Sequence, residues 1–422
     1  MTAPAFAQSS SVPAAVSCLF CKSPVVASVV DLGKHPLCQS ILTAEGLDQM
    51  EPFYPLHAKV CEQCWLVQVH EYVRPEEIFT EYAYFSGYSD SWLAHARAYV
   101  EMISERLGLG PDSQVIELGS NDGYLLQYFV GKGIRALGVE PAANVARVAV
   151  DKGIPTLVRF FGDATAHSLL AEGKRADLVC GANVFAQVPD PNDFVAGIKT
   201  LLKPEGVVTI EFPHLLQLLD QRQFDTIYHE HFSYFSLRTA SRIFEANRLT
   251  IFDVEELPTH GGSLRIYARH TENVKLEVTE RARDLAELEK AEGLDTLERY
   301  QRFASEVERV KLDVLSFLIE AKRQGKTVAG YGAPGKGNTL INYCGIRQDL
   351  LAFTVDRNPY KAGKFLPGSH IPVLDPSAIA TEKPDYLFIL PWNLRKEIMS
   401  QMEGIRAWGG KFVIPIPTLE VL

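Results

Sequence analysis

Hydrophobic and polar positions along this chain fall into a strand-helix-strand-helix order, and they do so twice. The segment SDSWLAHARAYVEMISERLGL, residues 89–109, carries its apolar residues at helical spacing. After it come short apolar runs alternating with helical patterns: SQVIELG, NDGYLLQYFVGKG, IRALGVEP, NVARVAVDKG, ADLVCGANVF, DPNDFVAGIKTLLKPEG and VVTIEFP. That order predicts a parallel sheet with helices on both faces. LTIFDVEELPTHGGSLRIYARH, residues 249–270, reads as two longer strands, an antiparallel pair closing the sheet. Residues 275–324 are rich in Glu, Lys, Arg, Leu and Ala at helical spacing, which predicts solvated helices that pack and connect. A second α/β unit begins at KTVAGYGAPGKGNTLINYCG and continues through LAFTVDRNP, PDYLFILPWN and KFVIPIP.

At 422 residues the chain exceeds what one hydrophobic core organises, so two or three domains are expected. A composition of 46% hydrophobic and 22% charged residues is that of a globular protein, and the net charge of −10 argues against a general nucleic-acid or membrane-surface binder. No apolar run is long enough to span a bilayer. The start, MTAPAFAQSSSVPAAVS, has an A-x-A pattern at Ala5 and Ala7 without a basic region or an apolar core; the expectation is a floppy tail and a cytoplasmic protein with reduced thiols.

Four of the seven cysteines then pair as CLFC (Cys18, Cys21) and CEQC (Cys61, Cys64). Each C-x-x-C turns two thiolates toward one point, and two such knuckles make a closed tetrahedral site, structural zinc and not a catalytic metal. Two redox pairs are the rival reading. The expectation is a lobe that unfolds on metal loss without direct effect on chemistry. Cys38, Cys180 and Cys344 read as small core or loop residues.

Two loops are placed to hold nucleotides. VIELGSNDGYLLQYF is a strand ending in Glu117, a tight loop with Gly119 and Gly123, then a helix; GVEP puts Glu140 at the end of the next strand, where a carboxylate grips ribose hydroxyls. Its E-x-G-x-x-x-G spacing resembles class I S-adenosylmethionine-dependent methyltransferases. Asn121 lies in that loop and Asn183 ends the fourth strand, where ligands sit in open α/β sheets. GYGAPGKG has Gly330, Gly332 and Gly335 at true G-x-G-x-x-G spacing with Asp356 about twenty residues on, a dinucleotide fingerprint that keeps an NAD(P)-dependent oxidoreductase in view. Lys336 adds a positive charge to that loop, which suits any diphosphate, a nucleotide-sugar's included.

The segments CLFC…CEQC, EYAYFSGYS, VIELGSNDGYLL, ANVFAQVPD, EFPH, YHEHFSY, HGGSLR, GYGAPGKGNTLINYCGI, DRNPYKAGKFLPGSHIPV and PWN occur in an order that resembles, over nearly the whole chain, the three-domain nucleotide-ketosugar C-methyltransferases of bacterial deoxysugar and antibiotic pathways, a family that includes the C3-methyltransferase of tetronitrose biosynthesis. The resemblance implies an α/β fold of three parts: a tail and four-cysteine zinc lobe (1–80), a Rossmann-like methyltransferase domain (81–290), and a helical connector with a second Rossmann-like, nucleotide-sugar-binding domain (291–422). It implies S-adenosylmethionine held by Glu117, Gly119, Asn121, Gly123, Glu140 and Asn183, and a nucleoside-diphosphate (TDP-linked) 4-keto-6-deoxysugar deprotonated beside its keto group and methylated as the enolate, at C3. His231 looks like the general base, with Glu230, Tyr228 and Tyr82 as partners; His229 packs or contacts substrate; Lys336, Asn338, Gly335 and Gly337 hold the diphosphate. A monomer or small homo-oligomer is expected, with no nucleic-acid or membrane partner.

The chemistry of YHEH agrees. A carbon acid needs a base, and its enolate oxygen needs a donor or a positive charge; histidine accepts a proton near neutrality. A satisfied buried histidine pair is the bland reading, and a metal on H-x-H ranks third. One position departs from the family pattern: AQVPD has Gln187 where A-H-x-x-D is usual. Glutamine hydrogen-bonds but carries no charge, so Gln187 orients the keto oxygen or marks a different substrate or carbon; a catalytically silent nucleotide-sugar binder is the third outcome.

Overall fold

The computed structural model describes residues 16–79 and 85–422. Two seven-stranded sheets and one four-stranded sheet carry the architecture. The first large sheet has the strand order 249–257, 263–270, 202–213, 176–182, 114–118, 135–139, 156–157. Its centre is parallel, and Leu249–Leu257 with Ser263–His270 forms the expected antiparallel pair at one edge. The helix Asp90–Leu107 flanks it. Ser89 caps that helix by accepting from the Trp92 N–H, and Gly108 ends it in the left-handed conformation (φ 61).

The second large sheet runs 364–365, 372–374, 354–355, 328–331, 386–389, 411–414, 420–421. Its four strands 372–374, 354–355, 328–331 and 386–389 are parallel, with 411–414 continuing them, and the helix Gly335–Cys344 follows the strand Val328–Tyr331. The predicted connector is a 27-residue helix, Leu297–Arg323. It is less solvated than its composition predicts: Tyr300, Phe303, Val307, Val310, Val314 and Leu318 are buried at three- and four-residue intervals. Each such burial stabilises by roughly 1.5–3 kcal/mol, enough to fix a helix whose other faces are charged.

The small sheet corrects the picture of a self-contained N-terminal lobe. Ala27–His35, Tyr54–Val60 and Val67–Val69 pair antiparallel, and a fourth strand, Ser233–Tyr234, comes from far along the chain, directly after YHEH and Phe232. The lobe also lacks a core of its own. Val29, Leu56 and Val67 share one core with the connector helix and the C-terminal sheet, while Cys18, Cys61 and Cys64 share another with the first large sheet. It is a wedge between two domains. Local hydrophobic pattern could not show this, because the partner strand is separated from it by most of the first α/β unit.

Candidate active site and metal centre

The two C-x-x-C turns face each other. Lys22 and Trp65, each directly after its second cysteine, both adopt positive φ (63 and 65), the bend that aims both thiols of a knuckle inward. Cys18 Sγ lies 3.4 Å from Cys64 Sγ and Cys21 Sγ 3.5 Å from Cys61 Sγ, and all four sulfurs lie within 4.8 Å of one another. Four soft donors at this spacing fit tetrahedral zinc and leave no open position. The second knuckle is fastened to the helix Leu237–Ala246: Thr239 Oγ1 donates to the Trp65 carbonyl (3.2 Å) and Arg242 to the Gln63 carbonyl (2.6 Å).

At the carboxyl ends of the first large sheet lies a cavity of about 280 Å³. Gly119, Asn121, Glu140, Asn183 and Gln187 line it, so five of the sequence-named residues meet there. Glu140 is held by two backbone amides, Asn121 N–H and Ala142 N–H (2.9 Å each), which oppose the upward pKa shift that its burial imposes. Asn183 adopts positive φ (57), and its Oδ1 is buried with no partner. An orphaned acceptor in the wall and an anchored carboxylate at a strand end fit an adenosyl ligand with ribose hydroxyls and an amine. Glu117 is fully buried and outside the lining, and burial raises its pKa far above the usual carboxylate range. Gly123 also stands back: its φ is 75, and a Cβ there would come within 2.4 Å of Ile154 Cδ1, so packing and backbone demand the glycine.

The YHEH segment adjoins this cavity. The Phe232 N–H donates to the Ala186 carbonyl (2.8 Å), which sets the residue after His231 against the residue before Gln187. The His231 ring packs on Tyr228 with centroids 4.2 Å apart. Burial, with His260 and Lys336 nearby, lowers the His231 pKa to about 3, so its imidazole is neutral and holds a free lone pair at physiological pH. Glu230 accepts from the Cys38 thiol (3.3 Å), and Cys38 is the small buried loop residue that was expected. His229 turns the other way: its Nε2 meets the Pro55 carbonyl (3.1 Å) and its ring stands edge-on to Tyr54 in the small sheet. This is packing between domains, and it uses the ring that was expected to pack or reach substrate. Tyr82 lies outside the described residues.

The glycine-rich loop of the second unit is occupied by the protein itself. The Ala333 N–H donates to Asp356 (2.7 Å), the carboxylate that a dinucleotide reading reserves for ribose. Asn338 Nδ2 donates to the Cys38 carbonyl (2.7 Å), and a Cβ on Gly335 would lie 2.9 Å from Cys38 Sγ. A Cβ on Gly337 would lie 3.0 Å from Leu390 Cβ. Gly335 and Asn338 therefore serve an interface with the N-terminal wedge and Gly337 a close contact within its own domain. Lys336 of the same motif bonds Asn393 (2.8 Å), and its charge acts on His231 and His260.

Sequence reasoning passed over a buried charged network around Glu211. Glu211 accepts from Arg265 (2.9 Å), His95 (2.9 Å) and Thr259 (2.8 Å), and these partners hold its pKa down at about 2 against burial. His260, beside it at positive φ (54), accepts at Nε2 from Asn183 Nδ2 (2.6 Å) and stands edge-on to Trp92. EFPH and HGGSLR were visible as segments; a non-glycine residue forced into left-handed backbone beside two glycines was the signal they carried.

Comparison with known proteins matches these parts in order. A zinc-binding-domain family model covers residues 18–79, a methyltransferase-domain model 92–253, and a C-methyltransferase C-terminal-domain model 258–417. The last begins before Ser263–His270, a strand of the first large sheet. The curated C-methyltransferase NovU of Streptomyces niveus is 36% identical over 405 residues, 96% of each chain. Among solved structures, the PH0226 protein of Pyrococcus horikoshii aligns at 13% identity and TM-score 0.36 over 46% of this chain and 97% of its own. An S-adenosylmethionine-dependent methyltransferase of Clostridium acetobutylicum aligns at 11% identity and TM-score 0.33, over 41% and 90%.

Proposed function

Because the chain belongs to the S-adenosylmethionine-dependent C-methyltransferase family that contains NovU, we propose that its acceptor is a nucleoside-diphosphate 4-keto-6-deoxysugar, methylated at C3. The observation that supports this reading is a backbone hydrogen bond between the YHEH segment and the strip beside the cavity, Phe232 N–H to the Ala186 carbonyl. His231 immediately precedes Phe232 and is a neutral, buried imidazole, and Gln187, which immediately follows Ala186, lines the cavity.

His231 takes the proton beside the keto group. Tyr228, against its ring, and Glu230, fixed by the Cys38 thiol, orient the base, with Tyr82 as the further expected partner. Gln187 reaches the acceptor from the donor side and hydrogen-bonds the keto oxygen. Glu140 holds the donor's ribose, and Asn183 its amine-bearing end. S-adenosylmethionine supplies an electrophilic methyl group when bound.

Solvent deuterium exchange tests the reading. With TDP-4-keto-6-deoxyglucose and related ketosugars in D2O, NMR is expected to show exchange beside the keto group without donor, and methylation of that carbon once donor is added. Absence of both across the panel would remove the ketosugar and leave ligand binding without turnover. Two variants refine the assignment. Glu140→Ala should weaken S-adenosylhomocysteine binding about tenfold by calorimetry, the scale of one lost charge-assisted contact. Gln187→Ala should lower kcat by about tenfold while Gln187→His stays close to wild type; an unchanged Gln187→Ala would take the residue out of the site.

A further inference from the structure

Lys336 is poorly placed for an ordinary lysine. It is the second residue of the helix Gly335–Cys344, the end where the helix dipole opposes a cation. Its Nζ is nevertheless held there. It donates to Asn393 Oδ1 (2.8 Å) and sits 4.8 Å from the centre of the Trp392 ring. The indole N–H of Trp392 in turn donates to Asp225 Oδ2 (2.7 Å). Asp225 is fully buried, and its other oxygen has no partner. Asp225 stands three residues before Tyr228, so the carboxylate that anchors the cation's platform is part of the reaction-centre segment.

The direction in which this charge acts is also fixed. Burial lowers the pKa of Lys336, and Asp225 pulls it back up. Lys336 in turn lowers the basicity of both His231 and His260, so its field reaches the two imidazoles. The start of its helix, which would accompany it on a diphosphate, is packed against the protein's own N-terminal wedge at Cys38.

We propose that the Lys336 ammonium stabilises the enolate oxygen that forms when His231 deprotonates the acceptor. The inference rests on the ketosugar reading above. In the step, the C–H bond beside the carbonyl breaks and the proton bonds to the His231 imidazole. The C–H electron pair becomes the C=C bond, and the carbonyl π pair moves to oxygen. That oxyanion lies against the Lys336 N–H, which stays protonated, and Asp225 holds the Trp392 platform in place. Reversal returns a solvent-derived deuteron to carbon, so no other reactant is needed for exchange.

The test measures donor-free deuterium exchange on TDP-4-keto-6-deoxyglucose for wild type, Lys336→Met and Lys336→Arg, together with thymidine diphosphate affinity by calorimetry. Lys336→Met is expected to slow exchange by about 10²–10³-fold, as loss of one oxyanion donor does, with thymidine diphosphate affinity within about threefold. Lys336→Arg, which keeps the charge, should keep about a tenth or more of the rate. The acid limb of the exchange profile should move to higher pH in Lys336→Met, because His231 then holds its proton more firmly; His260, Tyr228 and Tyr234 remain around it. Exchange in Lys336→Met within about threefold of wild type, or an affinity loss that parallels the rate loss, overturns the proposal in favour of a spectator or a diphosphate ligand. Wild type that fails to exchange with any ketosugar removes the ketosugar reading and this inference together.

Discussion

Replacing His231 with alanine is expected to lower methyl transfer by about 10³-fold while the affinity for S-adenosylhomocysteine stays within about twofold. The effect is large because no other described group is equally placed to take the proton. His229 turns away toward the Pro55 carbonyl and Tyr54 of the small sheet, and His260 accepts from Asn183 at Nε2. Donor affinity is expected to survive because His231 is not among the residues lining the cavity proposed for the donor. A second readout is pH. An unperturbed histidine loses its free lone pair below about pH 6.5, but burial and the neighbouring His260 and Lys336 lower this one to about 3. A pKa below the ordinary value means the neutral, competent form persists as pH falls. The acid limb of kcat/KM should therefore lie below about pH 5, and a limb near the ordinary histidine value would mean that some other group is titrating. Wild-type-like turnover in His231→Ala would remove the residue from the base role.

Loss of the metal should cost nearly all activity, and this differs from the sequence-based expectation of a lobe that could melt alone. Zinc in a four-cysteine site contributes its binding free energy to folding. Here the second knuckle leads straight into Val67–Val69, which pairs with Ser233–Tyr234 just beyond His231. Thr239 and Arg242 tie the same knuckle to the methyltransferase domain. The paired substitution Cys61→Ser with Cys64→Ser should abolish metal by elemental analysis, lower the unfolding temperature, and remove turnover together with it. Metal-free protein that still methylates would show that the strand pairing does not position the base.

The parts of the fold legible in sequence were those with a local signature. The strand-loop-helix at 113–133, the antiparallel pair at 249–270 and the two knuckles each announce themselves within a few residues, through period, glycine position or cysteine spacing. The cavity at the carboxyl ends of the first large sheet was legible in part: Glu140 and Asn183 fell at strand ends, and strand ends in an open sheet converge. What stayed hidden depended on pairs far apart in the chain. Cys38 with Glu230 and Asn338, and Trp392 with Asp225, are brought together by domain packing, while Glu211 and Arg265 meet across neighbouring strands of one sheet with His95 from the helix flanking it; no spacing rule anticipates either. The G-x-G-x-x-G run shows the converse. The motif is complete, yet its glycines make room for neighbouring protein, because a small residue at a helix start serves close protein contact as well as it serves a phosphate.

The wedge has a mechanical consequence. Among the described residues, the small sheet takes a strand from the middle domain and its core runs into the last domain, so its unfolding is expected to disturb both neighbours. Heating should give one calorimetric transition and not three, with hydrogen exchange in the small sheet as slow as in the large ones. Three modules in sequence are one unit in strength, and the grip on His231 is as firm as the least stable of them.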